Sequence, residues 1–150
     1  MTTSPLKFLH QTDAGLLLLR IGVGVAGIFH GAQKVFGVWE GHGIKGFAGF
    51  LESMNVPMPT VSAWMAGLAE LGGGALILVG LATRLASVPF AFTMLVAWTM
   101  AHKASFLKES GGSDFPFVLM LAALALIFTG AGKFSLDALF CKGKGSTRTV

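Results

Sequence analysis

The chain has 150 residues, of which 53% are hydrophobic and 12% charged, about half the charged share of a soluble globular domain. With a mean hydropathy of +0.73, it has too few polar side chains to cover the water-exposed surface of a soluble fold this size. The net charge of +4 forms no basic stripe and no nucleic-acid motif, so soluble enzymes, disordered chains and nucleic-acid binders are excluded. What remains is one all-α integral membrane domain over 1–150, in contact with the lipid bilayer.

The first apolar stretch, 14–36, is long enough for a helix to cross roughly 30 Å of hydrocarbon. Arg20 interrupts it early and it runs on to His30 and Lys34 without a small-residue cleavage site, so it is expected to stay in the membrane and not be cleaved as a signal peptide. The connection 37–60 is long. Ile44, Phe47, Phe50, Leu51 and Met54 recur in it near helical spacing, which predicts an amphipathic segment, either a lid packed on the bundle or a gate. Further spans are expected at 61–83, 85–101 and 115–132. None alternates as a barrel strand would. Pro116 falls in the first turn of the fourth span, where a missing N–H costs nothing, and Pro89 is assigned a similar part near the start of the third. The tail 138–150 is expected to be disordered. The fold class is therefore an integral membrane four-helix bundle with an amphipathic segment in the first outer loop.

Lys7, Arg84, Lys133, Lys142, Lys144 and Arg148 fall on one side of this topology, against Lys45, Lys103, Lys108 and, at a helix end, Lys34. That bias places both termini in the cytoplasm and the protein in the inner (plasma) membrane.

Charges at bilayer depth cost on the order of 2.5–3.5 kcal/mol on insertion scales unless paired or hydrated, so the few inside the spans are the informative ones: Arg20, His30, Lys34 and Glu70. Gln33, Arg84 and His102 are weaker candidates. Counting about 1.5 Å per residue from the cytoplasmic end, Glu70 is the most deeply placed, His30 is its closest match in depth, and Arg20 could reach toward it. Arg20, Gly24, Gly27, Gly31 and Lys34 share one face of span one, while Gly67, Glu70 and Gly74 share one of span two. These small residues predict close packing of the two helices around Glu70. The cluster is either an ion pair that fixes helix register, or a pocket that binds an anion or quinone head or relays protons. Gly22-x-Gly24-x-x-Gly27 has the letters of a dinucleotide fingerprint but lies inside a span. No metal-ligand spacing and no intrinsic redox centre is present, and Cys141 is the single cysteine.

The segments Arg20-Ile-Gly-Val-Gly, His30-Gly-Ala-Gln-Lys-Val-Phe-Gly37, Gly46-Phe47, Pro57-x-Pro59, Glu70-Leu-Gly-Gly-Gly, Gly80-Leu-Ala-Thr-Arg84 and Gly130-x-Gly-Lys-Phe-Ser-Leu-Asp137 occur in order over nearly the whole chain. Together they resemble the DoxX family of four-helix membrane proteins. That resemblance implies a partner subunit or homo-oligomer and a role beside redox or sulfur-handling enzymes. Some such proteins are associated with thiosulfate oxidation coupled to quinone. Distant eukaryotic relatives act as chaperones or cargo receptors. The leading expectation is a membrane oxidoreductase component, possible quinone included. A non-catalytic scaffold, chaperone or assembly factor is the alternative, and a small transporter a third.

Overall fold

A computed structural model describes residues 5–101 and 114–142. Among these residues six α-helices follow one another: α1 (Pro5–Phe36), α2 (Gly43–Ser53), α3 (Pro59–Val79), α4 (Thr83–Val96), α5 (Asp114–Thr129) and α6 (Leu136–Lys142). Among the described residues there is no strand. Helix α4 continues through a π-helical turn at Ala97–Ala101. Three helical stretches are long and apolar enough to cross a membrane, Thr12–Phe36, Pro59–Val79 and Thr83–Ala101, and α5 is a shorter apolar helix of 16 residues. The all-α membrane bundle expected from the sequence is what the chain forms.

Local chemistry explains the boundaries. Pro59 opens α3 in its first turn, where its fixed φ suits a helix start. Gly80, at φ 72°, ends α3; its N–H bonds back to the Ile77 carbonyl and that of Leu81 to Leu76, a left-handed helix stop that glycine adopts without steric cost. Asp114 in the first turn of α5 complements the positive end of that helix.

Three details differ from the sequence reading. Thr83 begins α4 instead of ending the second span, because the chain turns at Gly80–Ala82. Pro89 lies seven residues into α4, so it removes a backbone hydrogen bond inside the helix, a gap that membrane helices tolerate when neighbours cover it. The tail is helical through Lys142, and α6 is tied in by Asp137, whose N–H donates to the Gly80 carbonyl at 2.9 Å; residues 143–150 lie outside the described ones.

The core is apolar and central, formed by Val23 of α1, Ile77 of α3, Ala86, Phe90, Ala91 and Met94 of α4, and Leu119, Met120, Ala123 and Leu126 of α5. Large apolar side chains also point outward, among them Leu18, Leu85, Phe92 and Phe128, as expected where lipid replaces water. Helices α1 and α3 approach backbone to backbone. A Cβ on Gly27 would stand 2.9 Å from the Glu70 carbonyl and 3.0 Å from Gly74 Cα, and one on Gly24 would stand 2.9 Å from the Gly74 carbonyl. The amphipathic connection folds as α2, which packs on α1 and α3 with Leu51 buried.

Candidate functional site: an intramembrane acid and its cavity

Glu70 is fully buried on α3, and its Oε1 pairs with Nζ of Lys34, whose side chain is 25% exposed. Lys34 belongs to the last turn of α1, where a cation also meets the negative end of the helix. By Cα depth the two residues are not level, since Gly67 is the α3 residue beside Lys34 Cβ. Side-chain direction closes the gap. Cα–Cβ bonds lean toward the N-terminus of their own helix. In antiparallel α1 and α3 that leans Lys34 and Glu70 toward each other. Phe47 of α2 covers the pair, its ring centroid 5.1 Å from Lys34 Nζ.

The second oxygen of Glu70, Oε2, is buried and has no hydrogen-bond partner among the described residues. Leaving such an acceptor unsatisfied costs about 1–3 kcal/mol, more for a charged group, and native structures seldom do so without a use. Glu70 lines a cavity of about 230 Å³ with Gly27, His30 and Lys34 of α1, Phe90 and Met94 of α4, and Phe115 of α5 among its walls. His30, Lys34 and Glu70 are its polar residues and its other walls are apolar or aromatic, which is the usual make-up of a small-molecule site. The His30 ring stands perpendicular to that of Phe29, 5.3 Å between centroids, and meets Phe115 at 5.4 Å. Its Nδ1 lies 3.1 Å from Oε1 of Gln33. Gln33 Nε2 in turn donates to the Trp39 carbonyl at 2.9 Å.

Arg20 is not part of this cavity. It is 1% exposed and leans, by the same directional rule, toward the N-terminal end of α1 and away from Glu70. There its guanidinium donates to four carbonyls: Nε to Ile77 at 2.9 Å, Nη2 to Leu78 at 2.8 Å, and Nη1 to Ala131 at 2.9 Å and Phe134 at 2.7 Å. Ile77 and Leu78 lie in the last turn of α3, where helical carbonyls have no intrahelical donor. Arg20 thus ties the end of α3 to the segment after α5. Around it, Asp137 accepts from the N–H groups of Ala82 at 2.7 Å and Thr83 at 3.1 Å, capping α4 from another helix. Asp13 accepts from the Lys133 N–H at 3.0 Å.

Of the residues singled out in the sequence, the structure brings together His30, Gln33, Lys34 and Glu70. It places Arg20 in a separate clasp, and exposed Arg84 beside a second cavity, of about 300 Å³, with Ser135 and Asp137. His102 lies outside the described residues. Phe47, Phe90, Met94 and Phe115 line or cover the acid without having been singled out; Phe47 alone carried a signal, the apolar spacing of 43–54.

The DoxX family model matches residues 15–103. A Bacillus subtilis (strain 168) protein named "Putative oxidoreductase CatD" is 35% identical over 133 residues, covering 88% of this chain and 91% of the relative. The membrane protein Rv3486 of Mycobacterium tuberculosis is 28% identical over 91% of this chain and 88% of its own. A Haemophilus influenzae protein is 30% identical over 85% of this chain and 91% of its own. No solved structure matches. A family match across more than half the chain, with a relative above 30% identity along most of it, establishes that this protein belongs to the DoxX family.

Proposed function

We propose that the protein is the membrane component of a redox-linked complex and that the Glu70 cavity receives the head of a quinone. The observation that carries the reading is a fully buried carboxylate that lines that cavity and whose Oε2 has no partner among the described residues. At about 230 Å³ the cavity is smaller than the roughly 300–1,000 Å³ that takes up a whole drug-sized ligand. It suits one ring with its tail left in lipid. Residues fit that group: Glu70 and His30 supply acceptors, Lys34 a donor, and Phe90 and Phe115 apolar walls. When bound, a quinone would supply two-electron, two-proton chemistry. The chain's own residues would orient the ring and hold a proton at the Glu70 carboxylate or at the His30 imidazole. The name of the Bacillus subtilis relative supports the oxidoreductase class. A partner subunit would supply the electron donor, and the basic residues favour a plasma-membrane setting with both termini in the cytoplasm.

Photocrosslinking with an azido-quinone in native membranes tests the site. Labelling is expected on 26–34, 90–97 or 115–119, and on less protein when unlabelled quinone competes. Labelling confined to lipid-facing positions such as Leu18 and Phe128 would contradict the proposal. The pairing of Lys34 with Glu70 supports a second reading, a non-catalytic scaffold whose ion pair fixes register. In that case Glu70→Gln lowers the amount of protein in the membrane and leaves quinone labelling unchanged in the protein that remains.

A further inference from the structure

The hydrogen-bond chain behind His30 determines which of its two nitrogens faces a ligand as an acceptor. The Trp39 carbonyl can only accept, so the Gln33 group bonded to it at 2.9 Å must be the amide nitrogen. That fixes the Gln33 amide the other way round at its far end and presents Oε1 to His30 Nδ1 at 3.1 Å. Since Oε1 can only accept, Nδ1 must carry a proton. In a neutral imidazole the other nitrogen, Nε2, is then bare. The loop supports this arrangement: Trp39 and Glu40 adopt left-handed φ values of 50° and 64°, and Phe29 stacks on the Trp39 ring with centroids 5.0 Å apart. Gly41 presses so closely on the Gln33 backbone that a Cβ there would overlap it. The Trp39 carbonyl is therefore held in place by packing on both sides of the loop.

We infer that Gln33 is a positioning residue: anchored by the Trp39 carbonyl, it holds His30 as the Nδ1-protonated tautomer and leaves Nε2 as a hydrogen-bond acceptor at the cavity. A consequence rests on the proposed function. Glu70 paired with Lys34 is acceptor-only, and both it and His30 line the cavity, so these two side chains would meet a ligand as acceptors. These match the ring hydroxyls of a hydroquinone better than the carbonyls of the oxidised ring.

The test is nitrogen-15 NMR of histidine-labelled protein in lipid nanodiscs at a pH where His30 is neutral, the resonance being assigned by its loss in His30→Phe. Wild type is expected to show a protonated Nδ1 and an unprotonated Nε2. A protonated Nε2 with a bare Nδ1 would overturn the inference without any variant. Gln33→Leu should release the preference. An unchanged tautomer in Gln33→Leu would show that Gln33 does not set it. In parallel, a short-chain hydroquinone should bind wild type about tenfold more tightly than the matching quinone, and a preference for the quinone would overturn the acceptor assignment. Binding of neither form would refute the proposed function, while the NMR result separately decides the role of Gln33.

Discussion

Arg20 and Glu70 are both buried charges in membrane helices, yet their surroundings assign them opposite roles. Among the described residues the Arg20 guanidinium donates to backbone carbonyls on two separate segments. Bonds to a charged donor contribute about 1.5–3 kcal/mol each without adding fully. Arg20→Met is expected to destabilise the fold by about 3–5 kcal/mol, as when one member of a buried charged arrangement is removed. Arg20→Lys should recover only part, because one ammonium cannot span both segments. Thermal unfolding in detergent measures both. Glu70 instead keeps one oxygen uncommitted among the described residues and pairs with a partly exposed Lys34, so Glu70→Gln should cost about 1.5–3 kcal/mol, less than Arg20→Met, with melting in detergent as the check, while removing the carboxylate from the cavity. The sequence made both residues legible as charges out of place. It did not make their partners legible, because counting depth along Cα atoms ignores side-chain direction. That direction carries Lys34 to Glu70 and turns Arg20 away from it.

At the scale of helices, contact between α1 and α3 depends on missing side chains. Gly27→Val would drive a branched side chain into the Glu70 carbonyl and Gly74 Cα, an overpacking that costs about 1–3 kcal/mol. It should also open the wall of the cavity, so both melting temperature and quinone binding should fall. Gly72, with open space around its Cβ position, is the control, and Gly72→Ala should leave quinone binding unchanged and hold or raise the melting temperature, since alanine favours a helix interior over glycine. The facing glycines were readable from their spacing. The role of Asp137 was not, because α6 follows a stretch without helical periodicity and caps α4 only through the tertiary fold. Asp137→Ala should cost about 1 kcal/mol, the usual value of an N-cap, read as a lower melting temperature with quinone binding intact.

Across the whole molecule, polar chemistry divides between two ends of one apolar bundle. The Arg20 end gathers Asp13, Asp137 and backbone carbonyls into a clasp that joins α1, α3, α4 and α6. The Glu70 end holds a cavity bounded by α1, α3, α4 and α5, with Phe47 of α2 against the Lys34 ammonium. Composition alone specified the membrane setting and the helical class, since those depend on how much of the chain is apolar. The separation into clasp and cavity depends on which backbone groups are left unpaired at helix ends, and sequence patterning does not encode that directly. The most direct test of the central claim is equilibrium binding of a short-chain hydroquinone to the purified protein in lipid nanodiscs, wild type against Glu70→Gln. Saturable binding to wild type, weakened at least tenfold in a Glu70→Gln protein that still melts cooperatively, is the predicted result. Equal affinity in the two folded proteins would contradict it.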